Sequence, residues 1–414
     1  MIGWEDVYKV VVAMVPLYVS LGLGYGSVKW WRMFKPDQCD AINRFNCYFI
    51  IPFFTFQFTA SVNPYRMNYR FLAGDIIAKA IAGAILALWA NLCRNGNFSW
   101  AITSFSLSSF NNTLVIGVPL LKAMYGAMGE DLVVQSSVIQ SLLWFPLLLF
   151  MLEFRRTIWI NNNIVDDHDR DQVVSSNNND PPATGQLPQQ QQHIFSIEIV
   201  SSSEVAITKH DEMLQQEEQN NNNNNNNNKT PTTNNNIIGV VGETKISSPF
   251  SFGSTMKKVW GKLAKNPNSY ACAIGLIWAL LAKRWDLEMP SIVEGSIQIM
   301  AKAGSGVAMF SMGLFMALQE KVIACGVRLT MYSMVLRFIG GPLTSVVGAL
   351  ALGLRGTILR IAIIQAALPQ AIASFVFAQE YCLHANVLST SVIFGTIISL
   401  PLLIVYYLAL DVLH

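Results

Sequence analysis

The sequence predicts an all-α polytopic membrane protein: ten transmembrane helices in two inverted five-helix repeats, with helices 4 and 9 broken where they cross. Three observations carry this reading. The 414 residues are 52% hydrophobic and only 13% charged, where a soluble domain carries about 25% charged residues. The apolar residues gather in five long runs on each side of a polar centre, most of them long enough for a ~30 Å hydrocarbon core. Interruptions recur at corresponding places in the two halves, at "FNNTLVIGVP" and "AALPQAIAS".

The first five runs lie near 7–28, 41–60, 71–92, 100–125 and 132–154. The first follows the acidic start "WEDVY" and lacks a basic leader and a small-residue cleavage site, so it reads as a retained helix rather than a signal peptide. The second five lie near 268–281, 292–318, 322–352, 357–379 and 387–410. The sixth is short for a span unless it extends back into "KLAKNPNS". This divides the chain into a first repeat at 1–156, a central segment at 157–255 and a second repeat at 256–414.

The central segment is rich in Asn, Gln, Ser and Asp, with an unbroken run from Asn220 to Asn228. Such a composition buries too little apolar surface to offset chain entropy, so it is expected to be a disordered cytosolic loop. Lys and Arg set the orientation. Lys29, Arg32, Lys35, Arg94, Arg155, Arg156, Lys257, Lys258, Lys262, Lys265, Lys321 and Arg328 fall on one side. Fewer fall opposite, namely Arg66, Arg70, Lys122, Lys283, Arg284 and Arg355. The richer side is expected to be cytosolic, which leaves both termini non-cytosolic.

A five-helix unit starts and ends on opposite sides of a membrane, so a repeat of it must be inverted. Paired broken helices in inverted repeats are the arrangement by which transporters hold substrate near the midplane. Helices 5 and 10 also match, each with an internal proline, Pro146 and Pro401. Pro369 removes a backbone donor and clashes with the preceding turn. The half-helices beginning after Pro369 and near Asn112 then expose N–H groups that favour an anion; the plainer alternative is a kink filled by side chains.

Asn112 is the sharpest candidate, an amide able to donate to a carboxylate or else to bond a neighbouring helix. Asn268 and Gln140 carry the same two readings, with an ordinary N-cap as the alternative for Asn268. Asp75 and Lys79, four apart in "GDIIAKA", share a helix face. They read equally as a proton or gating element beside the site and as a structural ion pair. Lys302 and Arg337 lack a local partner and either line a polar cavity or reach to an interface.

No metal-ligand spacing, Walker loop or nucleophile–base constellation stands out, so neither an enzyme nor an ATP-driven pump is expected, and no cofactor. The six cysteines are scattered as small apolar residues are. The net charge of +2 gives no reason to expect nucleic acid as a partner.

Several stretches, "MVPLYVSLGLGYGSVKWW", "PDQCDAINRF", "NTLVIGVPLLKAMYG", "AMFSMGLFMAL", "AIIQAALPQAIASFVFAQEY" and "LSTSVIFGTIISLPLLIVYY", closely resemble the plant PIN-FORMED auxin efflux carriers. The resemblance covers about 1–156 and 256–412. It implies a fold similar to sodium/proton antiporters and bile acid transporters, assembled as a homodimer in the lipid bilayer. Helices 1, 2, 6 and 7 would form a scaffold, and helices 3–5 and 8–10 an elevator-type transport domain. The implied substrate is indole-3-acetic acid, exported as its anion by the membrane potential without ATP. The implied carboxylate site is the crossover, with Asn112 assisted by Asn268. The implied pocket wall is Ile51, Thr55, Val115, Gln140, Phe145 and Ile372, and the implied support site is Asp75 with Lys79.

The chain departs from that family's pattern around the site. Leu-Pro-Asn at the helix-4 crossover is Phe110-Asn111-Asn112, so that Pro369 remains without a partner proline. Gly then Val-Pro after the helix-9 proline is Ala371 then Ala373-Ser374. An aromatic hydroxyl in helix 5 is Phe145, and an acid in helix 7 is Lys302. Two alternatives to ordinary auxin export therefore stand: a proton-coupled organic-anion antiporter using Asp75, and a carrier of altered substrate choice. A receptor that binds without transport is disfavoured, because it needs no two-sided access. The central segment, short for the family and without Thr-Pro-Arg-x-Ser repeats, leaves regulatory kinases as possible partners. The expected location is the plasma membrane, with the endoplasmic reticulum membrane as the alternative.

Overall fold

Asparagines start several of the helices. The side chains of Asn68, Asn97 and Asn266 accept hydrogen bonds from the first-turn N–H groups of Tyr69–Leu92, Phe98–Ser109 and Pro267–Trp285. Each satisfies a first-turn donor that has no partner within its own helix. The computed structural model describes residues 4–93, 96–157, 266–319 and 325–412, with isolated positions between 253 and 261. The disordered loop expected at 157–255 lies outside the described residues but for 157 and 253, as do Arg94, Lys258, Lys262, Lys265 and Lys321.

The described residues are all-helical, with no strand and a single isolated bridge. The parts before and after the central segment pack as one compact unit. Six helices among the described residues are long and apolar enough to cross a membrane: Trp4–Lys29, Tyr69–Leu92, Thr113–Thr157, Ser291–Leu318, Val327–Ala351 and Ala385–Val412. Val12, Val15, Val19 and Leu23 stand exposed on the first, a stripe at helical spacing suited to lipid.

Thr113–Thr157, at 45 residues, is too long for one crossing at 1.5 Å per residue. It turns at Gly126, whose φ of 66° and ψ of −149° are not helical. That conformation is open to glycine and strained for other residues. The boundary between the two sequence-expected runs at 100–125 and 132–154 therefore falls here.

The remaining apolar runs are shorter or interrupted, and prolines mark local widenings in long and short runs alike. Four π-turns occur among the described residues, Asn46–Ile50, Thr113–Gly117, Gln140–Trp144 and Leu336–Gly340. Each is followed two residues later by a proline: Pro52, Pro119, Pro146 and Pro342. A proline frees one carbonyl in the preceding turn and collides with it. Widening that turn relieves the collision inside an apolar surrounding, where water is not available.

Two packings frame the unit. Trp4–Lys29 runs along Gly304–Leu318, and Pro267–Trp285 runs along Ile51–Ser61. Tyr69–Leu92 packs on Gly341–Ala351. The main buried cluster includes Leu107, Ile116, Leu120, Ile361, Leu368 and Phe375, so it surrounds the crossing of the two interrupted helices.

Candidate functional site

The site is built on two chain breaks. Phe98–Ser109 stops, residues 110–112 run extended, and a new helix opens at Thr113. Gly356–Ala366 stops, 367–371 cross, and Ile372–Glu380 begins. The two crossing segments pair antiparallel through one bridge, Asn111 with Gln370. Asn112 N–H donates to Pro369 O at 2.9 Å, and Ala371 N–H donates to Phe110 O at 3.0 Å. Side chains repeat the reciprocity. The Asn111 amide donates to Gln365 O at 2.8 Å, and the Gln370 amide donates to Ser106 O at 3.0 Å. Each bridge residue thus caps a carbonyl near the C-terminal end of the opposite half-helix.

Gln140 is buried, and both groups of its amide bond Asn111. Its amide oxygen accepts from Asn111 N–H at 3.1 Å, and its NH₂ donates to Asn111 O at 2.7 Å. A proline at 111 would lack that N–H, so this pairing requires a residue other than proline there. Ser374, a second departure, also joins the crossing. Its hydroxyl accepts from the Gln370 amide at 2.6 Å and donates to Ala371 O at 2.7 Å.

Asn112 differs from its neighbour. It is only 8% exposed, yet no hydrogen bond reaches its side chain among the described residues, and it does not cap the helix it precedes. An amide that bonds no protein group is free to donate to a ligand.

Thr55 and Asn268 are brought together, the Thr55 hydroxyl donating to the Asn268 side-chain oxygen at 2.6 Å. The N-cap of that helix is Asn266, whose side chain accepts from Asn268 N–H at 3.0 Å. The Asn268 amide is thereby oriented by Thr55 rather than used as a cap. Ile51 lies one turn before Thr55 on the same face, and the Pro267–Trp285 helix touches the Gln140–Trp144 turn. Phe145 stacks on Phe110 with centroids 5.2 Å apart and meets the edge of Phe377 at 5.8 Å. Val115 and Ile372 are half-buried beside the main core, at the starts of the two new half-helices.

Asp75 and Lys79 form an ion pair at 2.9 Å, both largely buried, with the ammonium 5.6 Å from the Trp144 ring centroid. Asp75 also lines a small niche with Ser345 and Gln365 behind the crossing. Lys302 is exposed, where one helix gives way to the next at Ala303.

Sequence reasoning left Arg337 between a cavity and an interface, and it occupies neither. It is 0% exposed and spends its guanidinium on the crossing. Nε donates to Leu368 O at 2.7 Å, Nη1 to Leu107 O at 3.0 Å and to Phe110 O at 3.2 Å. Nη2 donates to Ala366 O at 2.8 Å and to the Asn111 side-chain oxygen. Gly341, one turn on, lies so close to the Ser108 and Ala366 carbonyls that an added Cβ would sit 2.8 and 3.2 Å from them. The signal available was a lone arginine in "VLRFIGGP" with no acid nearby: a buried guanidinium without an acid must bond carbonyls.

A second polar cluster, not anticipated, lies at the turn 381–384. His384 stacks on Trp100 at 4.0 Å, and its Nδ1 is 2.9 Å from the Thr103 hydroxyl. Burial, with a smaller push from Arg155, holds its imidazole below the ordinary pKa of 6.5.

The chain matches the family described as membrane transport protein over residues 9–407. It is 50% identical over 414 residues to Auxin efflux carrier component 5 of Arabidopsis thaliana, covering 100% of both chains. It is 54% identical over 416 residues to Probable auxin efflux carrier component 5c of Oryza sativa subsp. japonica, covering 99% of both. Auxin efflux carrier component 4 of Arabidopsis thaliana is 33% identical, with 99% of this chain and 100% of that one covered.

Proposed function

Because the chain belongs to the auxin efflux carrier family of membrane transport proteins, we propose that it carries the indole-3-acetate anion out of the cytosol. The observation that carries this reading is Asn112: a largely buried residue whose amide bonds no protein group among the described residues, at the start of a half-helix. The N–H groups of the half-helices opening at Thr113 and Ile372 favour a carboxylate, and Asn112 would donate to it. Thr55 and Asn268 would complete the polar side, and Ile51, Val115, Phe145 and Ile372 would hold the indole. Gln140 would act indirectly, by fixing Asn111.

Ten spans in two inverted repeats, at 1–156 and 256–414, are the proposed membrane arrangement. The reciprocal capping at the crossing supports it, as do the matching packings of Trp4–Lys29 on Gly304–Leu318 and of Pro267–Trp285 on Ile51–Ser61. Movement would be elevator-like, driven by membrane potential in a homodimer, with both termini non-cytosolic in the plasma membrane. The central segment at 157–255 would be the cytosolic place for kinases to act.

Proton coupling through Asp75 is the second reading, favoured by the burial of the Asp75–Lys79 pair. Efflux of labelled indole-3-acetate from cells with verified surface expression separates the readings. Voltage-sensitive efflux that ignores the pH gradient is expected. Efflux at background would overturn the carrier assignment, and loss on collapsing the pH gradient would favour coupling.

A further inference from the structure

We infer that Arg337 is a positioning residue for the substrate anion: it neutralises the two carbonyl ends at the crossing so that the two N–H ends act as a net positive site. The inference rests on the proposed carriage of an indole carboxylate and names a residue on which that site's sign depends.

Four half-helix ends meet at the crossing. Two are N-terminal, at Thr113 and Ile372, and two are C-terminal, after Ser109 and Ala366. Each end is equivalent to roughly half an elementary charge, positive at N–H ends and negative at C=O ends. Left alone, the four sum to about zero, and an anion arriving there would gain little. The guanidinium carries one full charge and five N–H donors. All five are used, two on carbonyls of each closing half-helix and one on the Asn111 side chain. One positive charge offsets two half-charges, which leaves about one unit uncompensated at the N–H ends, matching a monovalent carboxylate. No acidic side chain among the described residues pairs with Arg337, and the neighbouring Asp75 and Lys79 compensate each other. Because Arg337 is fully buried, its effect passes through the crossing rather than by contact.

The test compares binding of indole-3-acetate with binding of its neutral counterpart, indole-3-acetamide, to the purified full chain in nanodiscs. A purely structural role would weaken both ligands alike. Wild type is expected to prefer the acetate. Arg337→Gln is expected to lower that preference roughly tenfold, the size of favourable helix-end interactions, with a smaller change for the acetamide. Arg337→Lys keeps the charge but not the five-donor fork, so it is expected to lower thermal stability while keeping most of the preference. Equal weakening of both ligands in Arg337→Gln overturns the inference. Should that variant not fold, loss of preference in a folded Arg337→Lys overturns it instead. A wild type without preference defeats the carboxylate reading itself, and this inference with it.

Discussion

Gln140 and Asn111 exchange two hydrogen bonds, both through the Asn111 backbone, at 3.1 and 2.7 Å. The pairing gives a side chain the part that a neighbouring strand would play. Gln140→Leu strands a buried N–H and a buried C=O, each worth about 1–3 kcal/mol when unsatisfied. Asn111→Pro deletes the N–H and both side-chain bonds, a loss of the order of 2–4 kcal/mol. Thermal unfolding of the purified protein should show both midpoints lowered. The double variant should lose less than the two losses combined, since the pair is shared; simple additivity would refute the coupling.

Asn112→Ala should behave in the opposite way. Among the described residues its side chain has no hydrogen-bond partner to lose, so the unfolding midpoint should change little. A hydrogen bond to a charged group is worth about 1.5–3 kcal/mol, so indole-3-acetate affinity should fall by roughly 10- to 100-fold. Unchanged affinity would remove Asn112 from the site.

Thr55→Val keeps the shape and deletes the hydroxyl that holds Asn268 at 2.6 Å. Losing about 1 kcal/mol of orienting interaction predicts a several-fold drop in indole-3-acetate affinity. Thr55→Ser restores the donor and should restore binding. If serine fails to rescue, the methyl contact and not the hydroxyl matters.

His384 predicts a pH dependence of stability. Its folded pKa lies below the ordinary 6.5 because of burial and then Arg155, so the unfolded chain binds the proton more readily. The stabilisation is fully present above pH 6.5 and is lost as pH falls toward the folded value. The unfolding midpoint should decline between pH 7.5 and 5.5. His384→Gln should flatten that part of the profile, and an unaltered decline would assign it to other groups.

The helical character of the chain was legible because apolar runs of spanning length admit few other structures. The two breaks were legible as well, since "FNNT" and "ALPQ" both weaken a helix. Pro119 shows where such reading stops. It is a kink after the break, yet the π-turn that accommodates it, and its counterparts before Pro52, Pro146 and Pro342, follow from where freed carbonyls find donors. Partners far apart in sequence are the other limit. Gln140 reads as a substrate-facing amide until Asn111 is seen to take both of its groups. Asn111 itself reads as an unexplained substitution until Gln365 and Arg337 are seen beside it. Asn268 resembles a cap by position, but Asn266 holds that place and Thr55 engages Asn268 instead.

The hold of Arg337 on Leu107 also sets a schedule for biosynthesis. The two residues are 230 positions apart, and a ribosome adding about 5–20 residues per second separates them by roughly 10–50 s. Through that interval the carbonyl end after Ser109 must wait in the bilayer without its guanidinium. The first half of the chain therefore has to be sheltered, by the insertion machinery or by provisional contacts, until the second half arrives to lock it.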